Sequence, residues 1–408
     1  RPVLDYHRCL GSCWLGHSQG AIGIMAQYGN QLVIAGMGKT GKSVARYLDV
    51  AGVSYDVCDD AGGAYPVCLD MLGGYSGHVV KSPGIAPSAI SAGDDAIIIN
   101  DVELFLRQTR KPVIMVTGTN GKSTVVSLLE HILRKNQMHA IACGNNGVPV
   151  LEAFSKDIDL YVLELSSYML ENMSTLTTFS SVVLNIGVDH VDRYRDLHEY
   201  GSVKRRVYSA ANVRVYPVDD NARVCFDGEI AGYAAEAETG RVVFSACGNE
   251  ICRNGRHYFD SQNLHVLGRH NQLNVCAALS LTDHLALDNQ QVKSALASFV
   301  GLPHRMELVC LDSKGRKWVN DSKSTNVHAL QAALSAQSAP VCLIVGGRGK
   351  GEDYSAALHQ YAAIIGKLIM FGEDAGLIDS QAAGISNRVL VTTCLLYTSD
   401  AADESSRV

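Results

Sequence analysis

Val116-Thr117-Gly118-Thr119-Asn120-Gly121-Lys122-Ser123-Thr124 is the stretch whose reading decides the fold of this chain. Pro112 to Thr117 is an apolar run suited to a buried strand. Val125 to Asn136 carries Val126, Leu129, Ile132 and Leu133 at helical spacing. A glycine loop between such a strand and helix turns backbone N–H groups toward the helix start, where phosphate oxygens can be cradled. Lys122 supplies a cation for the β and γ phosphates, and the Ser123 hydroxyl can reach Mg²⁺. The general phosphate-loop pattern has a further glycine where Val116 stands, so this is a variant loop. A capping turn with an exposed lysine is the bland alternative. Strand, loop, Lys-Ser pair and helix together favour a nucleoside triphosphate site.

Upstream, Leu32-Val33-Ile34-Ala35 reads as a buried parallel strand, followed by Gly36-Met37-Gly38-Lys39-Thr40-Gly41 and a helix from Lys42 to Asp49. Val53 to Val57 is expected as the next strand, ending at Cys58-Asp59-Asp60. Glycines with an acidic end about 20 residues later match dinucleotide-binding βαβ units. A packing turn in any doubly wound sheet gives the same spacing. A dehydrogenase built on this turn would leave Gly118–Thr124 unexplained.

Downstream, strands are expected at Leu160–Glu164 and Val182–Ile186. Glu164, at a strand tip beside the phosphate loop, is a candidate metal ligand. Asp189-His190-Val191-Asp192-Arg193-Tyr194 offers His190 as a ligand or orienter, against the commoner structural histidine. Lys204, beside Arg205 and Arg206, reads alone as part of a solvated basic face. A third α/β unit after Gly301 holds Lys317–Asn320, the polar run Asn320 to Asn326 with Asn326 placed to cap a helix at Val327–Ala336, strands Val341–Val345 and Ile364–Phe371, and the glycine turn Gly346 to Gly351 with Lys350. Three successive α/β units imply three domains.

The chain has 408 residues, more than one ordinary core would use. A net charge of −6 speaks against a broad nucleic-acid surface, and no run of about 20 apolar residues offers a membrane span. The 12 cysteines are scattered without a C-x-x-C pair, which reads as reduced, mostly buried thiols of a cytoplasmic protein. Residues 1–24 lack periodicity and are expected to be a non-native or disordered leader before Met25. The tail from about 393 has neither helix nor strand logic and reads as non-native.

Taken together, the chain resembles the Mur ligase family. The resemblance rests on GMGKTGKS at 36–43, KSPGI at 81–85, TGTNGKST at 117–124, GNNGVP at 144–149, LELSSYMLE at 163–171, DHVDRY at 189–194, GRHNQLN at 268–274, GLPHRME at 301–307, NDSKSTN at 320–326 and GGRGKG at 346–351. GLPHR with NDSKSTN points to the D-glutamate-adding branch. The resemblance implies an α/β protein of three domains: a Rossmann-like domain at 25–100 for the UDP end of UDP-N-acetylmuramoyl-L-alanine, a central ATPase-like domain with a mostly parallel sheet at 101–301, and an incomplete Rossmann-like domain at 302–408 for the amino acid. It implies a monomer that joins D-glutamate through an acyl phosphate during peptidoglycan precursor synthesis.

Residue by residue, the resemblance implies ATP contacts at Gly118, Thr119, Asn120, Gly121, Lys122, Ser123, Thr124, Asn271, Asn274, Arg305 and Asp321. It places one Mg²⁺ on Ser123 and Glu164, and a second on His190 and a carbamylated Lys204. Thr40, Ser82, Asn145 and His190 match the UDP-substrate side. Lys323, Thr325 and Lys350 match the region of D-glutamate or the acyl phosphate. The family's pattern continues with a strand and a serine loop that this sequence does not match, which implies an amino-acid pocket lacking one wall and impaired turnover. The alternatives are a Mur-type ligase for another amino acid, a folate polyglutamate ligase, and a non-catalytic nucleotide-binding regulator.

Overall fold

The computed structural model describes residues 32–59, 72, 75–145, 147–154, 157–174, 178–190, 193–209, 211–218, 229–234, 242–266, 268–337, 340–348 and 352–391. The expectations for the leader, for the tail and for Lys350 lie outside these residues.

The first unit is a four-stranded parallel sheet of β1 (Leu32–Ala35), β2 (Asp56–Cys58), β3 (His78–Lys81) and β4 (Ile97–Ile99), in the order β2-β1-β3-β4. All four β1 residues are buried, as an unbroken apolar run in a parallel sheet should be. Helix α1 (Lys39–Ala51) starts three residues earlier than its apolar pattern suggests, because exposed Lys39 and half-buried Thr40 form its first turn. β2 begins later than expected, at Asp56. A Cβ on Gly41 would lie 1.9 Å from the Gly36 carbonyl oxygen, so the glycine turn lets the helix close on the strand.

The central unit is a nine-stranded sheet. Its strands are β5 (Val113–Thr117), β6 (Ala140–Gly144), β7 (Leu160–Glu164), β8 (Thr178–Val183), β9 (Ala211–Pro217), β10 (Glu229–Ala234), β11 (Val242–Cys247), β12 (Glu250–Arg253) and β13 (Arg256–Asp260). The order is β13-β12-β11-β10-β9-β8-β5-β7-β6, with antiparallel pairing only at β11-β12-β13. β8 ends three residues before the expected Ile186, which frees Asn185 for the loop cluster described below. Helices α2 (Asp101–Gln108), α3 (Lys122–Lys135), α4 (Ser167–Leu170), α5 (Leu197–Arg205), α6 (Arg269–Thr282) and α7 (Asn289–Ser298) complete it.

One apolar core lies between one sheet face and α3, α6 and α7. The core on the other face runs without a break into the first unit, from Phe105, Tyr161 and Tyr208 to Leu32, Ile34 and Leu48. The last unit has a core of its own around Leu334, Leu358, Leu368 and Ile378. It contains a hairpin of β14 (Glu307–Leu311) and β15 (Lys317–Asn320), the parallel strands β16 (Val341–Gly346), β17 (Ile365–Phe371) and β18 (Arg388–Leu390), and helices α8 (Val327–Ser335), α9 (Ser355–Gln360) and α10 (Ala375–Gln381). Of the described cysteines, Cys58, Cys143, Cys252 and Cys276 are buried, whereas Cys310 and Cys342 lie exposed on β14 and β16.

Candidate active site

The phosphate loop leaves β5 at the C-terminal edge of the central sheet and enters α3 at Lys122. Gly118 and Gly121 have φ of 152° and 87°, a region that favours glycine. At Gly121 there is also no room, since a Cβ would lie 2.6 Å from Asn274 Oδ1. The loop is braced from β8's end. Thr119 N donates to Asn185 O (3.0 Å), Asn120 N to Asn185 Oδ1 (2.9 Å), and Asn185 Nδ2 back to Asn120 O (3.0 Å). Asn185 gave no signal in the sequence beyond standing at a strand's end.

Lys122 Nζ donates to Gly118 O and Thr119 O, both at 2.8 Å. Lys204 sits on α5 with its side chain 1% exposed. Its Nζ donates to the same Gly118 O at 3.0 Å and stands 4.5 Å from the centre of the Tyr200 ring. The bland alternative of a solvated basic face does not hold for Lys204: α5 packs inward there, and Tyr200 and Gly201 are buried with it. Burial pushes the Lys122 ammonium down from its ordinary value. Burial first, and the neighbouring Lys122 charge second, hold Lys204 well below the usual lysine range, with Asp189 acting the other way.

Glu164 ends β7 directly beside Val116 of β5, and is buried. Its Oε1 accepts a hydrogen bond from Asn145 Nδ2 (3.1 Å). Asn145 is fixed in turn by its own N–H to Glu164 O (2.9 Å). His190 has φ of 52°, strained for a side-chain residue at a loop, and its Nδ1 shares a hydrogen bond with Tyr168 Oη at 2.8 Å. Asp189 Oδ2 lies 3.7 Å from His190 Nε2.

The last unit closes over the loop. Arg305 Nη2 donates to Ser123 Oγ (3.2 Å). Asn326 caps α8 by accepting from Ala329 N (2.8 Å), as its position in the sequence suggested. The same side chain also meets Asn120 of the phosphate loop. Between the two units is a cavity of about 380 Å³, lined by Asn120, Gly121, Thr124, Asn271, Asn274, Arg305, Asp321, Lys323 and, unforeseen from sequence, His270 and His328. Apolar Leu184, Val266, Leu302, Ala329 and Ala333 also line it. That size and mixture suit a nucleoside. Asn274 Nδ2 donates to Asn271 Oδ1 (3.1 Å), and Asp321 Oδ1 accepts from Met306 N (2.9 Å) while burial pushes its carboxyl up.

Thr325 is exposed just before the α8 cap. Thr40 and Ser82 stand apart from this cluster, at the glycine turn of the first unit. There Ser82 Oγ donates to Gly36 O (2.8 Å) and Met37 N donates to Asp59 Oδ2 (2.6 Å). The structure thus brings together the phosphate-loop, Glu164, Lys204, Arg305 and Asp321 candidates, and places the Thr40 and Ser82 pair at a second location.

Residues 116–282 match the model of the Mur ligase middle domain. The chain is 35% identical to the UDP-N-acetylmuramoylalanine–D-glutamate ligase of Alcanivorax borkumensis, over 86% of this chain and 85% of that protein. It is 36% identical to the protein of the same name from Nitrosococcus oceani, over 86% and 84%. The crystal structure of the UDP-N-acetylmuramate–alanine ligase of Thermotoga maritima shares the fold, with a TM-score of 0.57 at 16% identity over 89% of this chain and 90% of that one. Similarity of this extent, joined to a glycine loop, buried lysines and strand-end carboxylate in one cleft, makes the chain a member of the Mur ligase family, in the branch of the UDP-N-acetylmuramoylalanine–D-glutamate ligases.

Proposed function

We propose that this chain uses ATP to join D-glutamate to the terminal carboxylate of UDP-N-acetylmuramoyl-L-alanine, a step of peptidoglycan precursor synthesis. The acceptor carboxylate takes the γ-phosphoryl group and ADP leaves. The amine of D-glutamate then attacks the acyl phosphate, phosphate departs, and the amine loses its proton. The convergence of Lys122, Lys204 and Glu164 around the 118–121 loop carries this reading, because a ligase must gather several anions at one point.

In this reading Lys122 and Arg305 meet the phosphates, and Asn271, Asn274 and Asp321 meet the nucleoside in the cavity between the units. The donors suit Mg²⁺: a hydroxyl at Ser123 and a buried carboxylate at Glu164 are hard oxygen ligands at the ends of neighbouring elements. Bound there, Mg²⁺ would neutralise phosphate charge. Two buried ammonium groups on one carbonyl would repel a second cation. Carbamylation of Lys204 would exchange one of them for an anion, and His190 would complete that site. Asn145 and His190 serve the acceptor end, Thr40 and Ser82 its UDP end, and Lys323, Thr325 and Lys350 the D-glutamate end. The three units act as separate domains, at 25–100, 101–301 and 302–408, in a cytoplasmic monomer.

Phosphate release from ATP on adding UDP-N-acetylmuramoyl-L-alanine and D-glutamate is the test. Release with L-glutamate, L-alanine, L-lysine or diaminopimelate in place of D-glutamate would reassign the amino acid. Nucleotide binding without release under every combination would make the chain a nucleotide-binding regulator.

A further inference from the structure

Arg193 is half of a partly buried ion pair that lies outside the phosphate cluster. Its Nε and Nη2 donate to Glu171 Oε1 and Oε2 at 3.0 and 2.6 Å, the two-pronged geometry only a guanidinium offers. The side chains of Arg193 and Glu171 are 16% and 9% exposed. Glu171 is held from behind by Tyr194 Oη (2.8 Å).

The same guanidinium reaches in two further directions. Nη2 donates to Ile85 O (3.2 Å), at the end of the Ser82–Ile85 loop of the first unit. Lys81 Nζ reaches that carbonyl as well, at 2.8 Å. On its other side the Arg193 Cζ stacks 4.8 Å from the centre of the Tyr168 ring, whose hydroxyl holds His190 Nδ1 at 2.8 Å. Arg193 N also donates to His190 O (3.0 Å), so the two residues share one turn. One side chain therefore touches the loop proposed to seat the UDP end and the ring that orients a residue at the reacting end.

We propose that Arg193 is a positioning residue that couples the seating of the acceptor's UDP end on the Ser82–Ile85 loop to the orientation of His190. The inference rests on the function proposed above and adds a residue that it does not use. A lysine at 193 keeps the charge but cannot hold both Glu171 oxygens and Ile85 O at once while stacking on Tyr168.

The test is steady-state kinetics of Arg193→Lys, Tyr168→Phe and the double variant, with thermal melting of each. R193K is expected to raise KM for UDP-N-acetylmuramoyl-L-alanine at least ten-fold and to lower kcat, with KM for ATP within two-fold of wild type. Y168F should lower kcat and leave KM for the UDP substrate within two-fold. The kcat loss of the double variant should fall short of the product of the single losses, since both act on His190. Equal changes in KM for all three substrates alongside a fall in melting temperature would reduce Arg193 to a structural residue and overturn the proposal. So would unchanged kinetics in an active wild type. A wild type that releases no phosphate with any amino acid would defeat the proposed function itself, and this inference with it.

Discussion

Lys122 and Lys204 point their ammonium groups at one acceptor, the carbonyl oxygen of Gly118, at 2.8 and 3.0 Å. Two cations cannot share a buried carbonyl cheaply, and the relief is for one of them to lose its proton. Lys204 is the more buried in the fold and is held well below the ordinary lysine range. A neutral amine is the form that takes up carbon dioxide. The chain incubated with ¹³C-bicarbonate at pH 8 is expected to show one carbamate carbon resonance that is missing in Lys204→Arg, and that variant should lose at least 100-fold in kcat. A resonance unchanged in Lys204→Arg would assign the carbamate elsewhere.

Gly121 tests the phosphate loop without touching a charge. At φ 87° an added methyl is strained, and it would also collide with Asn274 Oδ1. Gly121→Ala should weaken nucleotide binding at least ten-fold, read with a fluorescent ATP analogue. The melting temperature in the absence of nucleotide should move by only a few degrees, because the loop lies outside the apolar cores.

How much of this was legible beforehand follows the range of the interactions. The β5-loop-α3 unit could be read because strand burial, glycine turn and helix start are local, and β7 was located to the residue at Leu160–Glu164. For Lys204 the neighbours Arg205 and Arg206 left a solvated basic face open as the bland alternative, whereas the tertiary packing of α5 buries the lysine. Asn185, Tyr168 and His270 reach the site from distant parts of the central unit and His328 from the last unit, and no spacing in the sequence encodes such contacts. Only the resemblance to a family, which carries three-dimensional information, pointed to Lys204 as a site residue and to Arg305 as a nucleotide contact.

Asp101 offers a pH test away from the chemistry. It is buried at the start of α2, its Oδ1 has no hydrogen-bond partner, and burial pushes its carboxyl up to about 6, with Lys81 pulling the other way. The acid binds its proton more tightly when folded. Its contribution is therefore fully present below the unfolded value near 3.8 and is lost as pH rises through about 6. Asp101→Asn removes the charge that must be buried above that point. The variant should melt higher than wild type at pH 8, by on the order of 1–3 kcal/mol in stability, and show no such gain at about pH 3, below the unfolded value. A gain of equal size at both values would place the effect in packing instead of charge.

Asn120 and Asn326 exchange side-chain hydrogen bonds across the seam, Nδ2 to Oδ1 in each direction at 3.4 and 3.3 Å. Asn120 is simultaneously clamped by Asn185 through its backbone, and Asn326 caps α8. The phosphate loop and the last unit are thus joined by a pair of amides, each of which must be both donor and acceptor. Aspartate at 326 still caps a helix but has no N–H to return to Asn120. Asn326→Asp should accordingly leave the melting temperature within about 2 °C and nucleotide affinity within three-fold, while kcat falls five-fold or more because the unit carrying Lys323 closes less often. Asn120→Asp should cost a similar amount, and a double-mutant cycle should give a coupling of about 0.5–1.5 kcal/mol, the net worth of a hydrogen bond. Additive losses in that cycle would mean that the two amides meet without coupling closure to the loop.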